Sequence, residues 1–371
     1  MKRSKVAITK CLSYSSAEIY NAVKKVMDNS DVPDVMGKKV LLKPNILSDA
    51  PAEDCITTHP EIVRSAIKLF FERGAEEIYV GDSPGLHNSS FCGKNSGIYD
   101  VCLEEGAIWT DFSKDPVTTP IVGTNQSLPL ASILKEDVIV ISLSKFKTHQ
   151  LMYTTGAVKN LFGLVPGLNK SSCHMSNPSR ESFSRLIVGI HQTVKPAFCI
   201  MDAVIGMEGP GPANGDPKLV GLIMSSDNLF AMDSVQATIM GYKPTDIPIL
   251  IEAKKQHLLP SEIDFPLLNA KDLVIENYRR IELRRRTNLL TSLIVPFFTR
   301  SFHKKEKHSE PAPQFNKEKC IHCARCINIC PAKALTFNEN KEVAADYNKC
   351  IRCYCCHEMC PADAITIGNR K

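Results

Sequence analysis

Long apolar runs are missing from this sequence. None approaches the roughly 20 residues that a membrane-crossing helix needs, so no transmembrane span is expected. A basic start, Met1 to Lys5, leads into Val6-Ala7-Ile8, but that run ends at Thr9-Lys10, far short of an export-signal core. A cytoplasmic location is the expectation. Nucleotide signatures are missing too: neither the Walker A nor the Gly-x-Gly-x-x-Gly pattern occurs, and no nucleophile elbow is found. The glycine-rich stretch Gly206–Gly215 resembles a phosphate cradle only superficially, because Pro210 and Pro212 lack the N–H donors a cradle uses. It reads instead as a rigid loop that places Glu208 beside a cleft. Paired cysteines are absent from the first 300 residues. Cys11, Cys55, Cys92, Cys102, Cys173 and Cys199 are scattered, as incidental thiols of a reducing cytosol would be.

What is present is concentrated near the other end. Eight cysteines form two copies of one pattern: Cys320, Cys323, Cys326 and Cys330 before Pro331, then Cys350, Cys353, Cys356 and Cys360 before Pro361. Two-residue gaps on a tight loop converge three thiolates on one cubane cluster, and a fourth comes from elsewhere. Zinc would use paired cysteines and leave the third cysteine and the proline of each run unexplained. The copies are 30 residues apart, with Ile321 matching Ile351, Ala332 matching Ala362 and Leu335 matching Ile365, so matched apolar residues share a small core. The region from about 315 resembles the bacterial-type ferredoxin module with two [4Fe–4S] clusters. The resemblance implies that Cys360 completes the first set and Cys330 the second. Cys355 falls out of register and reads as a bystander.

At 371 residues the chain is too long for a ferredoxin alone. The expected division is an α/β domain over 1–275, a basic linker over 276–314 and a two-cluster ferredoxin-like α+β domain over 315–371. Between Arg279 and Lys307, nine Lys/Arg face two acids. The linker encloses the apolar segment 289–298, read as a helix packed on the large domain or as a peripheral membrane contact through 279–308. It lacks the interleaved aromatics of a nucleic-acid stacking surface, so nucleic acid is not an expected partner.

Through the first 240 residues short β-branched runs alternate with helical patterns, which is the rhythm of an open, mostly parallel sheet with flanking helices. Strands are predicted at Val6–Ile8, Val40–Leu42, Ile78–Val80, Val138–Leu143 and Phe198–Met201. Helices are predicted at Ala17–Asp28 with a Ser15/Glu18 capping box, at Pro60–Arg73 with Thr58 and Glu61 as the capping pair, at Glu181–Val194 and at Leu229–Met240. Polar residues follow these strands: Lys43-Pro44-Asn45, Gly81-Asp82-Ser83, Lys145 to His149, and Asp202. In an open parallel sheet that edge binds ligands. Lys43, Lys145, Lys147 and Lys159, with Asn45, Asp82 and Asn160, are therefore candidates for holding a small anion, helped by helix amides starting near Gly156. Flavin or another phosphorylated cofactor is one form such an anion takes, although no flavin motif is present. His149 and His174 are candidate proton donors, with Asp202 and Glu208 as candidate catalytic carboxylates. His59, ahead of Pro60, reads as a helix start, and Asp233 as a further carboxylate of undefined role.

Lys43-Pro44-Asn45, Thr58-His59-Pro60-Glu61, Gly81-Asp82-Ser83-Pro84-Gly85, Lys145-Phe146-Lys147-Thr148-His149, Thr155 to Gly163 and Asp202-x5-Glu208-Gly209-x-Gly211-Pro212 together resemble the prokaryotic domain-of-unknown-function 362 family, often fused to a ferredoxin module. The resemblance implies an iron–sulfur protein of anaerobic or facultative microbes and marks these positions as site candidates. The leading expectation is an oxidoreductase relaying electrons from a redox protein to a ligand in the cleft. An adaptor subunit of a larger redox complex and a cluster-delivery factor are the alternatives.

Overall fold

The computed structural model describes residues 3–86, 88–283 and 311–369. The segment 289–298 and most of the basic linker lie outside them. The chain divides into two compact units, Met1–Arg280 and Ile281–Lys371. Among the described residues no helix is long and apolar enough to cross a membrane.

The first unit is built on an eight-stranded mixed sheet. Its strands are β1 (Ala7–Lys10), β2 (Lys39–Pro44), β3 (Glu77–Val80), β4 (Ile108–Trp109), β5 (Val138–His149), β6 (Tyr153–Thr154), β7 (Phe198–Glu208) and β8 (Asp216–Ser226). The order is β1-β8-β7-β5-β2-β3-β4, with β6 paired to β5. The pairs β7/β5, β5/β2, β2/β3 and β3/β4 are parallel, whereas β8 runs antiparallel to both β7 and β1. Helices α1 (Ser16–Asp28) and α2 (Pro60–Glu72) cover one face, burying Ile19, Val23, Ile62 and Phe70 against Val40, Leu42, Ile141 and Leu143. Further helices are α3 (Gly156–Asn160), α4 (Asn169–Ser176), α5 (Arg180–Val194) and α6 (Leu229–Ile239).

Both predicted capping pairs are built differently. Glu18 does not return to Ser15; its carboxylate accepts from Leu12 N at 2.6 Å and Ser13 Oγ at 2.5 Å. Helix α2 is capped by His59, whose Nδ1 accepts from Glu61 N, because Thr58 donates its hydroxyl to Leu143 O at 2.8 Å. The larger difference is strand length. β5 continues past Leu143 to His149 and β7 past Met201 to Glu208, so Lys145, Lys147 and Asp202 stand on strands rather than after them.

The second unit pairs Ala312–Phe315 with Ile365–Gly368 and Leu335–Phe337 with Val343–Ala345, both antiparallel, around the short helices Arg325–Ile329 and Cys355–Glu358. The 30-residue repeat is exact in detail. Left-handed residues recur in register at His322/Arg352 (φ 55 and 58), Ala324/Tyr354 (60 and 64) and Lys333/Asp363 (47 and 45). Asn316 N donates to Ala364 O and Asp346 N to Ala334 O, each at 2.8 Å, so each half closes onto the other.

Candidate functional site

The eight motif cysteines of the second unit line two separate spaces. Cys320, Cys323, Cys326 and Cys360 border one of about 400 Å³, and Cys330, Cys350, Cys353 and Cys356 border one of about 350 Å³, both partly open to solvent. Each run thus completes its partner's set. Among the described residues no three His, Cys, Asp or Glu side chains are arranged to hold a single metal ion. Four thiols drawn from both runs, the third cysteine of each run among them, fit the donor set of a cubane cluster. The two exchanged cysteines are also hydrogen-bonded alike: Ala334 N donates to Cys330 Sγ and Ala364 N to Cys360 Sγ, each at 3.3 Å. Such N–H···S bonds stabilise negative charge on sulfur.

In the first unit the candidate residues separate into two groups at the carboxyl edge of the sheet. The first gathers about Asp82. Lys43 Nζ lies 2.8 Å from Asp82 Oδ1, with side chains 0% and 3% exposed, and also donates to Asn160 Oδ1 at 3.1 Å. Asp82 accepts from Ile46 N at 2.6 Å and Ser83 N at 2.8 Å. Asn160 anchors the end of α3 to the sheet through Lys43 O, Ser142 Oγ and Leu143 O, and its Oδ1 accepts from Asn45 Nδ2 at 3.2 Å. Gly163 closes the group: a Cβ there would collide with Asp82 Oδ1 and the end of Lys43, so only glycine permits this approach.

Lys170, on α4, joins from a direction the sequence did not signal, since no strand precedes it. Its Nζ donates to Ser83 O. Burial lowers its pKa to about 7, with Lys43 and Lys159 lowering it further and Asp82 opposing. Two lysines, Lys43 and Lys170, therefore act on one carboxylate, and Lys159 acts on both of them.

The second group is a closed network. Lys145 Nζ donates to Asp202 Oδ2 at 2.8 Å and to Tyr14 Oη at 2.9 Å, while Tyr14 donates to Asp202 Oδ1 at 2.7 Å. His59 N donates to Asp202 Oδ2 at 2.9 Å, and the His59 ring stacks on Tyr14 at 3.7 Å between centroids. Burial lowers the His59 pKa, with Asp202 opposing. Tyr14 follows a strand only four residues long, and nothing local marks it as a partner of Asp202.

Other candidates lie apart from both groups. Lys147 Nζ donates to Ile56 O at 2.6 Å. His149 Nδ1 accepts from Leu151 N and Met152 N, which shapes the turn to β6. His174 stacks on Phe183 at 4.2 Å, and burial lowers its pKa to about 3, so it stays neutral at physiological pH. Glu208 accepts from Arg279 N and Nε, both at 3.0 Å, which ties β7 to the end of the unit rather than presenting a carboxylate to a ligand. The expected anion site at the start of α3 is already filled, because Asp233 accepts from Ala157 N at 2.5 Å and Val158 N at 3.2 Å.

Several buried polar atoms have no partner among the described residues: Asn45 Oδ1, Thr57 Oγ1, Ser144 Oγ and Thr155 Oγ1. The β2/β5 register pairs Pro44 with Leu143, so Asn45 and Ser144 follow side by side. Each such atom costs about 1–3 kcal/mol unless water or a ligand satisfies it.

Residues 40–238 match the family described as a domain of unknown function (DUF362), and residues 301–364 match a 4Fe-4S dicluster domain. A thylakoid-associated protein of Synechocystis sp. is 33% identical over 251 residues, covering 67% of this chain and 77% of that protein. Two solved structures show limited likeness. A Thermotoga maritima protein has a TM-score of 0.35 at 15% identity, covering 58% of this chain and 56% of that one. The lactate racemase apoprotein of Thermoanaerobacterium thermosaccharolyticum has 0.36 at 13%, covering 54% and 50%. The chain thus spans about half the length of those two proteins. The dicluster domain supports iron–sulfur electron transfer, and the chain belongs to the DUF362 family, carrying a C-terminal ferredoxin module.

Proposed function

We propose that this protein accepts electrons from a redox protein and, by means of its dicluster unit, delivers them to a small anionic ligand at the carboxyl edge of the α/β unit. [4Fe–4S] clusters held by the two cysteine sets supply one-electron transfer. The observation that carries the ligand half is the charge balance about Asp82. Lys43 and Lys170 set two ammonium groups against the single carboxylate of Asp82 in a largely dry setting, with Lys159 lowering the pKa of both, and an anion relieves their mutual repulsion. Lys145 belongs to a different role, because Asp202 already matches its charge. Asn45, Ser144 and Thr155 offer hydrogen bonds to the remainder of the ligand. A phosphorylated cofactor such as flavin is one ligand of this charge. His59, partly buried and stacked on Tyr14, replaces His149 and His174 as the candidate proton source.

The test is native mass spectrometry of protein purified without oxygen, with iron, sulfide, phosphorus and flavin analysis, on the wild type and Lys170→Met. A small anion retained by the wild type and lost by the variant, with iron unchanged, is the expected result. Clusters with nothing else bound would overturn the ligand half.

A second reading is favoured by one observation: the relative's thylakoid association alongside the basic stretch Arg279–Lys307. It makes this chain an electron-transfer subunit whose basic segment contacts an acidic protein or an anionic membrane surface. Binding to anionic but not neutral vesicles that disappears when Arg284, Arg285 and Arg286 become Gln would support it.

A further inference from the structure

The two halves of the ferredoxin unit agree in their crossed cysteines, their N–H···S bonds and their left-handed turns. They differ in what covers each space. In the second half Tyr347 donates its hydroxyl to Pro313 O at 2.8 Å, and Tyr354 donates to Pro311 O at 3.0 Å. These bonds hold the chain from Pro311 to Pro313 beside the second space, which Pro313 and Tyr354 both line. At the matching positions, 30 residues earlier, the first half has Lys317 and Ala324. Lys317 pairs with Glu342 at 2.7 Å, and Ala324 has no hydroxyl with which to hold a strand. The cysteine loops differ accordingly. Ile321 is 63% exposed, and His322 and Cys323 are exposed beside it, all three lining the first space. The matching Ile351 and Cys353 are half-buried, and Arg352 is 5% exposed. Of the eight motif cysteines only Cys323 is exposed.

We propose that the first cysteine set, bordered by Ile321, His322 and Cys323, is the port at which this protein exchanges electrons with a carrier protein in solution, and that the second set is closed to such carriers. The proposal rests on the electron-transfer reading above and adds the place where transfer with the partner occurs. The physical reason is distance: electron exchange between proteins falls steeply with separation, so a carrier exchanges with the group it can approach. Redox encounters are transient and use small interfaces, so the spot around Ile321 and Cys323 is large enough for one. Tyr347 and Tyr354 keep the same approach from opening on the second side.

The experiment compares full-length holoprotein, purified without oxygen, as wild type, Ala324→Tyr and Tyr354→Ala, with iron and sulfide counted in each. The pair exchanges matched residues, and the backbone is left-handed at both positions (φ 60 and 64), so each accepts the other's side chain. EPR power saturation with dysprosium–EDTA as relaxant reads how closely a solute approaches each cluster, and Cys320→Ser and Cys350→Ser assign the signals. Stopped-flow oxidation of the reduced protein by cytochrome c reads exchange with a protein carrier. In the wild type the relaxant should act several-fold more strongly on the first signal. Ala324→Tyr should shield that signal and slow oxidation by cytochrome c several-fold at unchanged iron content, and Tyr354→Ala should expose the second signal. Equal relaxation of both signals in the wild type, or oxidation that keeps its rate once the first signal is shielded, overturns the port and leaves the electron-transfer reading standing. Clusters that are present in the wild type but accept no electrons from dithionite overturn both.

Discussion

Lys145 and Asp202 stand opposite each other on neighbouring parallel strands, their charges 2.8 Å apart and their side chains 1% and 0% exposed. Two ions withdrawn from water this completely are stable only together, and removing one leaves the other uncompensated. Lys145→Met and Asp202→Leu should each destabilise the first unit by about 3–5 kcal/mol. The double variant Lys145→Met/Asp202→Leu should recover much of that loss. Urea unfolding followed by circular dichroism measures both, and additive single effects would contradict the coupling.

Lys170 should impose a pH dependence. In the unfolded chain it keeps its proton to about 10.5, and in the folded one only to about 7. Between those values the unfolded chain binds more protons, so stability rises with pH across this window and is level in this contribution below it. Lys170→Met should remove the rise between pH 7 and 10. Binding of inorganic phosphate by the wild type should weaken over the same range, as the ammonium loses its charge. Calorimetric titration at pH 6, 7.5 and 9 checks it, and affinity independent of pH would count against Lys170 as the ligand's contact.

Gly163→Ala should displace Asp82 and Lys43 without touching the ferredoxin unit. The expected outcome is loss of bound anion with full iron content, read by native mass spectrometry. Retention of both would show that the Asp82 group is structural only.

The crossed cysteine sets make Cys360→Ser informative. It should impair the cluster held by Cys320, Cys323 and Cys326 and spare the one held by Cys350, Cys353 and Cys356. EPR of the reduced protein, compared with Cys320→Ser and Cys350→Ser, assigns the loss. Damage resembling that of Cys350→Ser would mean that each run ligates within itself.

The cysteine ligands were legible because convergence on a cluster is a local demand, met by gaps of two residues and a repeat of 30. The helices were nearly as legible, since an amphipathic stripe such as Ile62, Val63, Ala66, Ile67 and Phe70 is written in consecutive turns. Their caps were not. Thr58 serves Leu143, 85 residues away, so the adjacent His59 takes the capping role.

In the α/β unit the candidate residues could be named from the sequence, but their relationships could not. Sequence alone determined the parallel-sheet rhythm and the two cysteine runs, because each is encoded in spacing or periodicity. Only the tertiary structure decided that Lys145 belongs to Asp202 and Tyr14, that Lys170 joins Lys43 about Asp82, and that His174 lies dry against Phe183. An apolar run ends where side chains turn polar, but a strand ends where its neighbour stops pairing. β5 and β7 go on pairing past Leu143 and Met201, and a charge can be buried there because its partner arrives from 57 residues away.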